Sequence, residues 1–145
     1  MNEKRFKEWK LPKIQHGKLT QWNWLVQYPE NLTIGKFSDI GAFTYINAKY
    51  GVEIGEFVQI GSHCSIYSES TIDGKQGKVT FERNARLGSH SLVMPGIRIK
   101  ENSIIGAHSF VNTNIPSGVV AFGIPIQIRR NLTTEEIQEQ YNKMQ

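Results

Sequence analysis

Residues 87–111 read LGSHSLVMPGIRIKENSIIGAHSFV, and this stretch carries a repeat with a period of six residues. A bulky apolar residue recurs at every sixth position, namely Leu87, Val93, Ile99, Ile105 and Val111. An α-helix would place apolar residues three and four apart, and a simple strand would alternate every two. A strict step of six fits neither pattern and indicates short strands separated by turns.

The six-residue step extends upstream in two earlier runs. Their bulky residues are Ile34, Ile40 and Ile46, then Ile54, Ile60, Ile66 and Ile72, with the third run starting at Phe81. The next position is often glycine, as at Gly61 and Gly88, which suits corners where the chain turns sharply or takes a positive φ. The step from Ile72 to Phe81 contains the polar segment 73–78, which predicts a loop that leaves the scaffold.

Two terminal segments flank the repeat. Residues 1–33 are rich in aromatic side chains and are expected to cap the first coil, since an open end would expose unpaired strand edges. Thr133 and Glu136 have the spacing of a capping box, which predicts a short helix through about Lys143. The expected organisation is an N-terminal capping segment 1–33, a repeat domain 34–130 and a C-terminal helix 131–145.

Composition limits the classes of function. The chain has 145 residues and one cysteine, Cys64, so neither a disulfide framework nor a multi-cysteine zinc site is expected. The net charge of +4 is scattered, which favours small phosphate-bearing ligands over nucleic acid. No apolar run approaches the length of a membrane span, and the charged residues 1–7 do not begin a signal peptide. We therefore expect a cytoplasmic protein with no membrane partner.

The segments 87–96, 105–111, Ile115–Pro116 and Gly123–Pro125 closely resemble the C-terminal signature of the galactoside acetyltransferase branch of the hexapeptide-repeat acyltransferases. With the repeat, the resemblance covers about residues 34–130. In that family three hexapeptides make one coil, so residues 18 apart stack. The resemblance implies an all-β fold, a left-handed parallel β-helix of hexapeptide repeats with a short C-terminal α-helix.

The resemblance also implies an activity. It predicts an acetyltransferase that uses acetyl-CoA and acts on a sugar, expected to be a nucleotide-linked amino sugar for surface polysaccharide biosynthesis. Members of the family are usually homotrimers with active sites between adjacent subunits, and we expect the same assembly here.

Three of the four histidines share one repeat position, three residues after the bulky residue. His90 and His108 are 18 residues apart, and His63 and His90 are 27 apart, which equals one coil plus the nine-residue step. If that step is an excursion that returns to the same face, the three imidazoles stack along one corner at roughly 4.8 Å per coil. An imidazole titrates in the range that a general base needs.

Carried onto this chain, the family's cofactor groove implies contacts with pantetheine from Ser89, Ala107 and Asn112 and contacts with the CoA phosphates from Arg129 and Arg130. Charge-assisted hydrogen bonds would hold the phosphates. The thiol end then runs back toward His63. We therefore expect His63 to be the general base, with His90 as the second candidate and a backbone amide near Ser89 as the oxyanion donor.

The acceptor sugar is expected to meet polar and aromatic side chains, for which the candidates are Asn47, Tyr67, Glu69 and Asp73. In the galactoside branch the base lies in the loop after the third hexapeptide, but residues 67–73 here contain no histidine. Some similar nucleotide-sugar N-acetyltransferases work without a histidine base. The choice between O- and N-acetylation stays open at this point.

Two other functions also stay open. The γ-type carbonic anhydrases share this fold and bind a metal through histidines of neighbouring subunits. The corner histidines here lack a close His-x-x-x-x-His pair, and a vertical ladder cannot easily offer tetrahedral ligation, so we expect no metal. The second alternative is a noncatalytic β-helix that serves as a ligand-binding module.

Overall fold

The computed structural model describes residues 8–144, which form a parallel β-helix of about five coils followed by a C-terminal helix. The strands stack into three faces of a prism. The fold class that the family resemblance implies is confirmed. The charged N-terminus, residues 1–7 of the expected capping segment and residue 145 of the expected C-terminal helix lie outside the described residues.

Each face of the prism is a sheet of very short strands. The first face contains β1 (Leu25–Gln27), β4 (Tyr45–Asn47), β7 (Ser65–Tyr67), β12 (Leu92–Val93) and β15 (Phe110–Val111). The second face contains β2 (Leu32–Ile34), β5 (Val52–Ile54), β10 (Val79–Phe81) and β13 (Arg98–Ile99). The third face contains β3 (Asp39–Ile40), β6 (Gln59–Ile60), β11 (Arg86–Leu87), β14 (Ile104–Ile105), β16 (Val119–Phe122) and β17 (Gln127–Asn131). A separate hairpin contains β8 (Glu69–Ser70) and β9 (Lys75–Gln76).

The pairing register explains how a six-residue step builds this prism. Ile46 pairs with Ile66, and Val93 pairs with Val111, so bulky residues of successive coils lie directly above one another. All four side chains are fully buried inside the prism. Because side chains alternate across a strand, the neighbouring residues point outward. Burial of each such apolar side chain stabilises the fold by roughly 1.5–3 kcal/mol.

The hairpin β8–β9 interrupts the repeat between the first and second faces. The sequence pattern placed Ile72 at a core position, and this is wrong, because its side chain is 98% exposed. The buried Ser68 closes the base of the hairpin instead, and its carbonyl oxygen accepts a hydrogen bond from the Gly77 amide at 2.9 Å. The excursion therefore starts at Glu69, four residues earlier than the polar segment 73–78 suggested.

Both ends of the prism are covered by chain. The strands begin at Leu25, within the segment 1–33 that was expected to cap the first coil. The indole of Trp9 donates a hydrogen bond to the Ser38 carbonyl at 2.7 Å, which ties the N-terminal segment to the prism.

At the other end, helix α1 (Thr134–Met144) follows β17. The predicted capping box is confirmed, since the Thr133 hydroxyl accepts a hydrogen bond from the Glu136 amide and the Glu136 carboxylate accepts one from the Thr133 amide, both at 3.1 Å. Across residues 8–144, no helix combines the length and apolarity that a membrane crossing would require.

Gly61 and Gly88 are not needed for a positive φ, one of the two reasons that the sequence suggested for the repeat glycines. Gly61 and Gly88 do not have a positive φ, which occurs two residues later, at His63 (57°) and His90 (59°). A Cβ atom on Gly61 would lie 2.6 Å from the Ser89 amide nitrogen, and one on Gly88 would lie 2.4 Å from the Ala107 amide nitrogen. Glycine is required here because the backbones of successive coils approach too closely for a side chain.

Candidate functional site at the histidine corner

The predicted histidine stack is confirmed. The ring centroids of His63 and His90 are 4.8 Å apart with 6° between the ring planes, and those of His90 and His108 are 5.0 Å apart with 10° between the planes. The excursion between the first and second faces therefore returns to the same face, as the 27-residue separation required. We call the junction of the third and first faces, with residues Asn23, Phe43, His63, His90 and His108, the histidine corner.

The backbone of this corner presents the imidazoles to solvent. The three histidines have left-handed φ values of 57–59°, and their side chains are exposed. Their amides bond to the coil below: the His63 amide donates to the Ala42 carbonyl at 2.9 Å, and the His90 amide donates to the Ser62 carbonyl at 3.0 Å. The backbone is thus held by hydrogen bonds between coils while the rings remain exposed to solvent.

His63 differs from the other two histidines in its surroundings. One face of its ring stacks on His90, and the other side meets the ring of Phe43, 5.3 Å away between centroids. His90 instead lies between two imidazoles. His63 is therefore the lowest imidazole of the stack and the one that contacts the aromatic ring of Phe43.

Two of the predicted cofactor residues lie on this same corner. Ser89 directly precedes His90, and Ala107 directly precedes His108. The Ser89 carbonyl accepts a hydrogen bond from the His108 amide at 3.0 Å, so these residues form successive steps of one column. The close approach of Gly61 to the Ser89 amide fixes the position of the candidate oxyanion donor.

A column of small hydrogen-bonding residues supports the corner from inside. The Thr44 hydroxyl accepts a bond from the Cys64 amide at 3.3 Å, and the Ser91 hydroxyl accepts one from the Ser109 amide at 3.2 Å. Cys64 is 1% exposed, and burial raises the pKa of its thiol. The sequence showed only that the residue at this position is small. The recurrence of Thr, Cys and Ser there was the signal that these side chains form hydrogen bonds between coils.

The two predicted phosphate ligands have different environments. The Arg129 guanidinium lies 4.4 Å over the Phe122 ring and donates to the Phe122 carbonyl at 3.0 and 3.2 Å. The adjacent Gly123 amide donates to the Ser109 hydroxyl at 3.2 Å, which places Arg129 near the His108 end of the corner.

Arg130 is engaged elsewhere. It makes a two-point contact with Glu136 in helix α1, at 2.7 and 2.9 Å. This contact lowers the pKa of Glu136 to about 2 and raises the pKa of Arg130. The structure therefore brings Arg129 to the histidine corner and holds Arg130 in an ion pair with the helix.

The predicted acceptor residues gather at another corner. Asn47, Tyr67, Glu69 and Asp73 lie at the junction of the first and second faces, which we call the hairpin corner. The Asn47 side-chain oxygen accepts bonds from the Lys49 amide at 3.1 Å and the Ser68 hydroxyl at 3.3 Å. The Tyr67 ring lies 5.5 Å from the ring of Tyr45.

The carboxylates of the hairpin corner are paired with nearby groups. Glu69 faces Lys49 at 3.5 Å, and Asp73 faces Lys75 at 3.5 Å. A hydrogen bond from Ser70 lowers the pKa of Asp73. From His63 to Tyr67 the chain runs four residues, or roughly 13 Å of extended strand. Within one chain, these residues and Asn112, which follows β15 at the same end of the first face, are therefore separated from His63.

The corner does not have the geometry of a metal site. Nearly parallel stacked rings direct their nitrogen atoms into separate planes, whereas a tetrahedral site needs ligands that converge on one point. Within residues 8–144, no three His, Cys, Asp or Glu side chains are grouped as a metal ion would require.

Comparison with known proteins relates the chain to acetyltransferases, although no family model matches it. It is 33% identical over 117 residues to the galactoside O-acetyltransferase of Lactococcus lactis, covering 70% of this chain and 56% of that protein. It is 30% identical over 118 residues to the galactoside O-acetyltransferase of Escherichia coli K12, covering 75% and 58%. The chain therefore spans somewhat more than half the length of these curated relatives.

Among solved structures, the chain is similar to a galactoside acetyltransferase in complex with coenzyme A. The TM-score is 0.62 with 26% sequence identity, and the match covers 77% of this chain and 60% of the other. The similarity in fold therefore extends to most of the β-helix described above.

Proposed function

This chain belongs to the hexapeptide-repeat acyltransferase family, and on that premise we propose that it transfers an acetyl group from acetyl-CoA to a sugar. The observation that supports this most is the histidine corner, where stacked imidazoles share one edge with Ser89, Ala107 and Arg129. Acetyl-CoA is long and thin, with phosphates at one end and a thioester at the other. A straight corner with a cation at one end and an imidazole at the other suits such a substrate.

The orientation of acetyl-CoA follows from the positions of the charged groups. We expect its phosphates at Arg129, and its pantetheine arm along Ala107 and Ser89 toward His63. Arg130 takes part by exchanging Glu136 for a phosphate. Because Asn112 lies across the first face from this corner, its expected contact is with acetyl-CoA held by a neighbouring copy of the chain.

The chemistry requires a base and a donor for developing negative charge. We expect His63 to accept the proton of the attacking hydroxyl or amine while the new bond forms at the acetyl carbonyl carbon. A backbone amide near Ser89 stabilises the carbonyl oxygen as charge develops on it. The carbon–sulfur bond then breaks, and the sulfur of CoA takes the proton back from His63. His90 stacks on His63 and is the alternative base.

The acceptor proposed is a nucleotide-linked amino sugar used in surface polysaccharide biosynthesis in the cytoplasm. Its proposed ligands at the hairpin corner, Asn47, Tyr67, Glu69 and Asp73, lie too far from His63 in one chain for direct contact with the same reacting group. A homotrimer in which the hairpin corner of one copy faces the histidine corner of the next would resolve this separation. Light scattering tests the trimer, and a monomer would contradict it.

The test of this function is release of CoA thiol from acetyl-CoA in the presence of nucleotide-linked amino sugars or free hexosides. The variants are H63N, H90N and H108N. Asparagine is chosen because it tolerates the left-handed backbone, as Asn84 and Asn102 do elsewhere in this chain. Each variant therefore removes the imidazole while retaining a residue suited to the backbone.

We expect acceptor-dependent thiol release by the unmodified protein. H63N should lower kcat by about 10²- to 10⁴-fold, the usual contribution of a general base. H108N is the matched control and should retain kcat within a few-fold. Full activity of H63N would refute the assigned base, and the absence of thiol release with every acceptor would refute the proposed function.

A further inference from the structure

A cavity of about 430 Å³ lies at the N-terminal end of the prism, and the function proposed above does not use it. Its walls include the three tryptophans Trp9, Trp22 and Trp24, together with Gly41 and Ala42 of the histidine corner. The volume falls within the range of roughly 300–1,000 Å³ that small-molecule sites occupy.

The three tryptophans are held in different ways. Trp24 is almost fully buried, and the Trp9 indole is held by its bond to the Ser38 carbonyl. The Thr20 hydroxyl accepts hydrogen bonds from the amides of Trp22 and Trp24 at 3.3 and 3.4 Å, which orders the turn between them. The side chain of Trp22 is nevertheless 59% exposed. The turn thus presents one indole on an ordered support.

Trp22 occupies a repeat position of the histidine corner. It directly precedes Asn23, which has a left-handed φ of 65°, just as Ser62 precedes His63 and Ser89 precedes His90. The Asn23 carbonyl accepts the Phe43 amide at 2.6 Å, which makes Asn23 the lowest step of the column. Trp22 is therefore two coils below His63, or roughly 10 Å along the corner at 4.8 Å per coil.

The chemistry of the cavity suits a ring with one apolar face and polar edges. The indoles provide flat apolar surface, and the exposed Glu8 and Lys10, which also line the cavity, provide charged hydrogen-bonding groups. Ligand sites commonly combine an apolar lining with a few polar groups. Sugars and nucleobases both match this description, because both stack on indoles and carry polar substituents at their edges.

We propose that this cavity is an acceptor subsite that binds the second ring of an elongated acceptor, stacked on Trp22, while the first ring carries its hydroxyl or amine to His63. The distance of two coils is the reason for two rings, because a single hexose on Trp22 would not reach the imidazole. The second ring is a further sugar or a nucleobase. This inference rests on the proposed acetyl transfer and specifies its acceptor as an elongated molecule with at least two rings.

The experiment compares W22A and W22F with the unmodified protein. The acceptors are a nucleotide-linked amino sugar, a disaccharide and a single-ring methyl hexoside. For each, the KM of the acceptor, the KM of acetyl-CoA and kcat are measured by thiol release. Y141A is the matched control, since Tyr141 is another surface aromatic residue but lies in helix α1, away from both the histidine corner and the hairpin corner.

We expect W22A to raise the KM of one or both elongated acceptors, the nucleotide-linked amino sugar and the disaccharide, by about 10-fold, as loss of one base–aromatic stack would. The acceptor that responds identifies the second ring as nucleobase or sugar. W22F should restore most of the loss, and Y141A should change none of these constants. The KM of acetyl-CoA and the KM of the methyl hexoside should stay within two-fold in every variant.

An unchanged KM for both elongated acceptors in W22A would overturn the proposal, and so would an equal rise for the methyl hexoside. Calorimetric titration of each acceptor without acetyl-CoA tests the subsite at Trp22 separately from the proposed acetyl transfer. Binding that W22A abolishes supports the subsite even if no acetyl transfer occurs, whereas acetyl transfer without any effect of Trp22 supports the enzyme and refutes the subsite. Failure of every acceptor to bind or react refutes both.

Discussion

The histidine corner and the corner between the second and third faces have the same left-handed backbone conformation, but they differ in the side chains that pack against them. We call the second one the helix corner; its left-handed residues are Phe37, Phe57, Asn84, Asn102 and Gly118. At the helix corner, the Asn84 amide group donates to the side-chain oxygens of Asn102 at 2.8 Å and of Gln140 in helix α1 at 3.1 Å. At the histidine corner, by contrast, the imidazoles are exposed.

Aromatic contacts also pack helix α1 against the helix corner. The Arg83 guanidinium lies 5.2 Å from the ring centroid of Phe57 and 5.7 Å from that of Tyr141, so it bridges the prism and helix α1. A left-handed backbone costs a non-glycine residue roughly 1–2 kcal/mol. At the helix corner, hydrogen bonds and cation–π contacts offset this cost, whereas at the histidine corner the strained residues leave their rings available. Strain that remains exposed is characteristic of functional sites.

The largest expected effect tests whether the two corners share their backbone requirement. Gly88→Ala at the histidine corner and Gly35→Ala at the helix corner should each lower the free energy of unfolding by about 3 kcal/mol or more, because overpacking forces the backbone to shift. A Cβ atom on either glycine would lie 2.4 Å from an amide nitrogen of the next coil. Urea denaturation measures the change.

The matched control is Gly74→Ala in the hairpin. Gly74 has a φ of 73° and no atom within 4 Å of the added Cβ, so only backbone strain of roughly 1–2 kcal/mol is expected. If Gly88→Ala were tolerated as well as Gly74→Ala, close approach of the coils would not be the reason for glycine at the corners.

The next prediction tests whether contacts with helix α1 stabilise the helix corner. Asn84→Ala should lower the free energy of unfolding by about 2–3 kcal/mol, because it leaves Asn102 and Gln140 without their buried partner. His90→Ala changes a residue of the same backbone conformation without buried hydrogen bonds to its ring, and should cost about 1 kcal/mol. Thermal unfolding with circular dichroism compares the two. Equal losses would show that helix α1 contributes no cover.

The smallest effect concerns the ion pair that fastens helix α1 to β17. The pKa of Glu136 is lowered from its ordinary value of 4.5 to about 2, so its contribution to stability is present above about pH 4.5 and is lost as the pH falls toward 2. Glu136→Gln retains a capping residue and removes the charge. The urea midpoint of the variant should lie slightly below that of the unmodified protein at pH 7, and the two midpoints should converge as the pH falls below about 4.5. A constant difference across this range would contradict the ion pair as its source.

Several features were predictable because they depend on local periodicity. The stacking of His63, His90 and His108 followed from counting residues, and the N-cap of helix α1 at Thr133 followed from one capping box. Ile72 shows the limit of this reasoning. It continues the six-residue step, yet it lies in the hairpin, because the hydrogen bond from Gly77 to Ser68 closes the excursion before Ile72 can enter the core.

The sequence by itself determined that the chain consists of short strands and turns in a six-residue repeat and that its histidines share one repeat position, because both depend only on the spacing of residues; the β-helix followed from the resemblance that this repeat carries. Tertiary structure decided which groups are accessible there. It engaged Arg130 with Glu136, placed Arg129 beside Phe122, and set the exposed indole of Trp22 below His63. These pairings join segments distant in sequence, and their geometry depends on how the two ends of the chain fold back onto the prism.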